Sequence, residues 1–222
     1  MTGSVGHEII NDKEPIRLFK SNFLEFFTQI HPAVVAIIWI PVMTIFMIIA
    51  IRDYMANSHL GAGGGFPFHI VLGFPLGLFL WTLAEYFLHR FVFHFPPKTP
   101  RMERVTFLFH GVHHTQPMCK TRLVMPPAAS IPLALLFYGL FYLIWLKLIG
   151  APEWLAPTFS GFIAGYLIYD LTHYGTHHFK VKGRYFKFVK FNHMQHHFKC
   201  PDKRFGVSSP IWDHVFGTSP SE

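Results

Sequence analysis

Charge is scarce in this chain. Asp, Glu, Lys and Arg make up 14% of its 222 residues, against roughly a quarter in a soluble domain, which argues against an ordinary water-soluble fold. Cysteine is nearly absent, and Cys119 and Cys200 form no CxxC pair; thiolate metal chemistry is unsupported, and on a cytoplasmic face no disulfide is expected. A cleavable leader is not expected either, because the first apolar run starts too late and is too long. Acid is rarer than base, giving a formal net charge of +7. That excess needs no nucleic acid to explain it.

Apolar length is what the chain has in plenty. Uncharged runs extend from Ile30 to Ile51, Phe66 to Ala84, Leu123 to Leu146 and Trp154 to Tyr169. The first three reach or approach the ~20 residues a helix needs to cross a hydrocarbon core. The fourth is short, but it continues through Asp170 and Leu171 if that carboxylate faces protein. The expectation is one domain: an all-α integral membrane protein with four transmembrane helices, near residues 31–52, 66–90, 124–147 and 154–177. Gly61 to Gly65 and Gly150-Ala151-Pro152 are the expected outer turns, and Pro41, Pro75 and Pro132 the expected kinks.

The basic residues set the orientation. Lys13, Arg17 and Lys20 precede the first run; Lys98, Arg101, Arg104, Lys120 and Arg122 follow the second; eight more lie from Lys180 to Arg204. Only Arg52 and Lys147 fall in the other two connections. Cytoplasmic loops carry the excess Lys and Arg. Both termini are therefore expected in the cytoplasm, with residues 91–123 and 178–222 forming a cytoplasmic helical cap. Within the N-terminal stretch 1–30, Phe19, Phe23, Phe26, Phe27 and Ile30 recur at helical spacing. That face suits either a helix in the headgroup region or one packed on the cap.

Histidine carries the chemistry. Eleven of the 16 histidines form four clusters: His89/His94, His110/His113/His114, His173/His177/His178 and His193/His196/His197. His7, His31, His59, His69 and His214 stand apart and are read as ordinary residues. In HGVHH and HMQHH, positions i, i+3 and i+4 share a helix face, so each trio can serve one metal or bridge two. His173 and His177 are an i, i+4 pair from which His178 points away. His89 and His94 are five apart, which an ideal α-helix does not bring together; either the helix end unwinds or the two serve different ions. Glu85 and Asp170 lie one turn before histidines, and metal-bound imidazoles usually give their second N–H to a carboxylate or carbonyl. Ten imidazoles exceed what one ion takes and match two ions at about five each, with a position left open on both. Imidazole suits zinc, copper, iron and nickel alike; open positions on iron fit O₂ activation.

The segments EYFLHRFVFH, HGVHH, RLVMPP, GYLIYDLTHYGTHH, HMQHH and FGVSSPIWDHVFGT resemble the fatty acid 2-hydroxylases of the membrane fatty acid hydroxylase/sterol desaturase superfamily, from about Phe19 to Thr218. The resemblance implies a di-metal centre under a cytoplasmic cap, with iron for activity and zinc as a candidate occupant of purified protein. It implies O₂-dependent hydroxylation at carbon 2 of a free fatty acid or a ceramide-type acyl chain drawn from the bilayer. Carried over by position, the ligands are His89, His94, His110, His113, His114, His173, His177, His193, His196 and His197. His178 would stand behind them, and Tyr166, Tyr169 and Asp170 would line the site and place the substrate. Relatives often carry a fused cytochrome b5 domain; no HPGG motif is present here, so an external electron donor is implied, such as cytochrome b5 or a ferredoxin-type carrier. The basic tail is a candidate dock for an acidic carrier, though topology alone also explains it. Cys119-Lys120 and Gly175 depart from the family pattern without touching the ligands. A bacterial inner membrane and an endoplasmic reticulum suit the chain equally. The rivals are other branches of the superfamily (a sterol methyl oxidase, desaturase or carotenoid hydroxylase) and, more remotely, a metal transporter.

Overall fold

A computed structural model describes residues 9–10, 14–59 and 66–220. The turn expected at Gly61 to Gly65, and His7 and Lys13, lie outside the described residues. The described residues form helices and no strand: α1 (Asn22–Phe26), α2 (Pro32–His59), α3 (Phe68–Phe87), α4 (Pro100–Thr106), α5 (Val112–Thr115), α6 (Pro127–Tyr142), α7 (Leu155–His178), α8 (Arg184–Phe198) and α9 (Ile211–Val215). Three segments are long and apolar enough to cross a membrane: Pro32–Ser58, Phe68–Phe93 and Pro127–Ile149. They mark a multi-pass membrane protein. α2 runs past the expected end at residue 52 because Arg52 and Asp53 fall inside an unbroken helix.

The chain divides into two compact units interleaved in sequence. One comprises Ala33–Trp81 and Pro127–Ile168. Here α7 explains why the fourth apolar run looked short. Every residue from 157 to 167 is buried, so this stretch is enclosed by protein rather than facing lipid. Phe159 packs edge-on to Phe46 of α2 and Tyr138 of α6, at 4.8 and 5.2 Å between ring centroids. Phe162 meets Trp81 of α3 at 5.1 Å and Phe137 of α6 at 4.7 Å. An enclosed helix needs small residues for close approach more than it needs greasy ones. At Gly161 a Cβ would fall 2.0 Å from the Phe74 carbonyl oxygen, and at Gly77 2.0 Å from that of Thr158.

The other unit comprises Met1–Pro32, Thr82–Pro126 and Tyr169–Glu222. Its N-terminal segment is tied to the loop after α5. Ile10 N donates to the Thr115 carbonyl and Ile30 N to that of Thr121, both at 2.8 Å. Gln116 bridges, accepting from Ile16 N and donating to the Glu14 carbonyl, both at 2.9 Å. The expected N-terminal helix contracts to the five residues of α1, opened by the Ser21 side chain accepting from Leu24 N and closed at Phe27. α1 is polar inward and apolar outward: Glu25 is buried on Arg122 and accepts from the Leu18 and Phe19 amides, while Phe23 and Phe26 are each 72% exposed.

Candidate metal centre

Two π-helical turns build the centre. Leu88–Phe93 continues α3 with i→i+5 bonding, and His94 N donates to the His89 carbonyl at 3.0 Å. A π turn places residues five apart on one face, and the His89 and His94 rings lie 4.9 Å apart. Of the two alternatives read from the spacing, the first holds in a mild form: the helix end relaxes from α to the wider π winding, and the pair serves one group. A second π turn, Phe107–Gly111, carries His110 into α5.

Ten histidines converge as two sets of five. His89, His94, His110, His114 and His196 form the first group; His113, His173, His177, His193 and His197 form the second. Within each group the ligating nitrogens all lie within 4.8 Å of one another. Both HxxHH clusters split between the groups, so each bridges two positions. His178 belongs to neither group; its ring lies 4.6 Å from Tyr174. Among the described residues no carboxylate enters either group.

The spacing fits bound cations. Two nitrogens ~2.1 Å from one ion, at a right angle, lie ~3.0 Å apart. The observed Nε2–Nε2 separations are 3.0 Å for His89–His110 and His94–His196, 3.0 Å for His113–His173, 2.9 Å for His113–His197 and 2.8 Å for His177–His193. Second-nitrogen bonds also fit: His89 Nδ1 donates to the Phe205 carbonyl at 2.5 Å and His196 Nδ1 to the Lys203 carbonyl at 2.7 Å, leaving Nε2 with its lone pair.

Burial, reinforced by neighbouring imidazoles, holds His110, His113, His114, His193 and His197 well below the usual histidine range. Burial also lowers His196 to about 4, against the opposing pull of the Lys203 carbonyl and Asp202. Such rings stay neutral at neutral pH, the form in which an imidazole can bind a metal. With folded values below the unfolded 6.5, the unfolded chain binds more protons as pH falls, so stability present above that value is lost below it. The melting temperature of metal-free protein in detergent is expected to be level above ~pH 7 and to fall steadily from ~pH 6.5 towards 4. A level melting temperature across that window would contradict neutral burial.

The two acids singled out from the sequence bind backbone amides. Glu85 Oε1 accepts from Val207 N and Ser208 N, both at 2.7 Å, and Oε2 from the Ser208 hydroxyl. Asp170 accepts from Met125 N through both oxygens, at 3.1 and 3.2 Å, which ties α7 to the RLVMPP segment. Tyr169 is buried with its ring 5.7 Å from that of His173. Tyr166 belongs to the other unit, edge-on to Trp39 and Trp81. Sequence reading missed the Lys203 and Phe205 carbonyls and Asp213, which accepts from Phe205 N and Gly206 N at 2.8 Å. The only signal for them was the FGVSS…WD…FGT wording of the tail.

Known proteins are similar to this chain. A family model described as "Fatty acid hydroxylase" matches residues 74–218. A dihydroceramide fatty acyl 2-hydroxylase of Arabidopsis thaliana is 38% identical over 97% of this chain and 84% of its own length. A fatty acid 2-hydroxylase of Rattus norvegicus is 35% identical over 92% of this chain and 56% of its own. Among solved structures, full-length Scs7p, with only its hydroxylase domain visible, matches 90% of this chain and 70% of that one at 36% identity and a TM-score of 0.78. With a matched domain that contains all ten histidines of the two groups, this chain belongs to the fatty acid hydroxylase family and is a monooxygenase-type oxidoreductase.

Proposed function

We propose that the protein hydroxylates carbon 2 of a fatty acyl chain, either a free acid or the acyl group of a ceramide-type lipid, using O₂ and a pair of iron ions. The observation that carries this reading is the pairing of two five-imidazole groups, buried or half-buried, with every ligating nitrogen within 4.8 Å of its group partners. The ten residues of those groups are the proposed ligands, with zinc the expected occupant when iron is withheld. When bound, the metal pair supplies O₂ activation and the oxidising power to break a C–H bond. The balance is one CH₂, one O₂, two electrons and two protons giving CH(OH) and water. The electrons come from a separate donor, such as cytochrome b5 or a ferredoxin-type carrier.

This chain's residues contribute position. Reaction needs the C–H within ~3–3.5 Å of the reacting atom, and a ~1 Å error can cost ~10²-fold. Asp170, 1% exposed and bonded to the Met125 amide, is the proposed brace for the substrate's carbonyl end; Tyr169 and Tyr166 are the proposed walls along its chain. α7, 24 residues and hence ~36 Å long, is the proposed fourth span. Residues 91–123 and 178–222 are the proposed cap, facing the cytoplasm with both termini, on one hydroxylase domain in a bacterial inner membrane or an endoplasmic reticulum. Membranes incubated with ¹⁸O₂ and either labelled fatty acid or labelled ceramide are expected to yield a 2-hydroxy product carrying one ¹⁸O. A hydroxyl elsewhere, a new double bond or an oxidised sterol methyl would overturn the reading in favour of another branch of the superfamily. Metal uptake by vesicles without lipid oxidation would favour a transporter.

A further inference from the structure

The segment 199–210 between α8 and α9 carries no histidine, yet two of its carbonyls reach the first group. The Lys203 oxygen accepts from His196 Nδ1 and the Phe205 oxygen from His89 Nδ1. Between them stands Arg204 at φ +58°, a left-handed conformation that no other non-glycine residue adopts among the described residues. Such strain persists only where the surroundings over-determine it, and it gathers at functional sites.

The surroundings are explicit. Arg204 N donates to the Thr218 carbonyl at 3.0 Å, and its guanidinium to Asn192 Oδ1 at 2.5 Å. The next four amides run in order to Asp213 Oδ1, Asp213 Oδ2, Glu85 and Glu85. At Gly206 a Cβ would meet the Ser209 carbonyl oxygen at 2.1 Å, so only glycine passes there. Asp213 also accepts from the Thr218 hydroxyl at 2.7 Å. Two buried carboxylates therefore grip one short stretch of backbone from both sides.

We propose that residues 203–205 are a carbonyl fork that fixes the tautomers of His89 and His196, with Glu85 and Asp213 as its positioning residues, and that this makes the first metal position the tighter of the two. A carbonyl only accepts, so each Nδ1 keeps its proton and each Nε2 presents a lone pair inward. In the second group, no group among the described residues takes the Nδ1 of His113, His173, His193 or His197, so nothing comparable selects their tautomers there. The inference rests on the two-ion reading.

Metal analysis after graded chelation tests it, on intact detergent-solubilised protein. The wild type is expected to bind two ions and to surrender the second-group ion first. Glu85→Ala is expected to lose ~10–100-fold in affinity at the first position, so that at chelator levels where the wild type still holds one ion the variant holds none. Glu85→Gln keeps a carbonyl oxygen for both amides and is expected to follow the wild type. Adding Glu85→Ala to His89→Ala should remove nothing further, because both act on the same ion. Should Glu85→Ala not fold, Ser208→Ala and Asp213→Asn give the same readout through single lost bonds. A wild type binding fewer than two ions would sink the two-ion reading itself. Two ions in the wild type, with Glu85→Ala still holding one ion at the chelator levels where the wild type holds one, would overturn the fork and leave Glu85 merely structural.

Discussion

Alanine at His173 is expected to lower product formation by ~10³-fold or more, equivalent to ~4 kcal/mol of activation free energy, and to reduce bound metal. His173 is 2% exposed, and its ring lies 4.6 Å from those of both His113 and His193. Truncation removes one of five donors from the second group and opens a gap that no neighbouring carboxylate fills. The effect should exceed that of Asp170→Asn, which alters a brace and spares every imidazole. For the latter, rate is expected to fall more than metal content. Mass spectrometry of the hydroxylated lipid, alongside metal per chain, separates the two; full turnover by His173→Ala would refute its assignment as a ligand.

Valine at Gly161 is expected to act on the fold rather than the chemistry. A Cβ there would lie 2.0 Å from the Phe74 carbonyl oxygen and 2.8 Å from its carbon, and backbone cannot turn aside as a side-chain tip can. Overpacking of this kind costs ~1–3 kcal/mol and sometimes more, and this site belongs at the upper end. The expected result is a large drop in melting temperature in detergent, with little folded protein recovered. The same change at Gly139, where a Cβ would meet nothing within 4 Å, is the matched control and should be nearly silent. Equal losses at both positions would mean that the α3–α7 approach is not what limits stability.

The grouped histidines were legible in the sequence because imidazole has few reasons to recur at i, i+3 and i+4. Its division was not. His113 parts from His110 and His114, and His196 from His193 and His197, and helical spacing alone cannot say which of two ions a ring one residue round the helix will meet. The five-residue gap between His89 and His94 stayed ambiguous because a π turn has no composition of its own. Glu85 was visible as an acid one turn before His89 and was read as a partner for an imidazole N–H, but it accepts from amides more than 120 residues away. The fourth apolar run looked short because hydropathy measures taste for lipid, and residues 157–167 are buried in protein.

That enclosure bears on biogenesis. A segment holding Thr158, Ser160, Gly161 and Gly165 gains little by leaving water for lipid alone, whereas inside a sleeve of Phe46, Trp81, Phe137 and Tyr138 its Phe159 and Phe162 rings are packed. α2, α3 and α6 precede α7 in the chain. During synthesis the sleeve is therefore complete before its filling emerges, and as the proposed fourth span α7 is spared by ribosomal order alone from waiting unaccompanied in the bilayer.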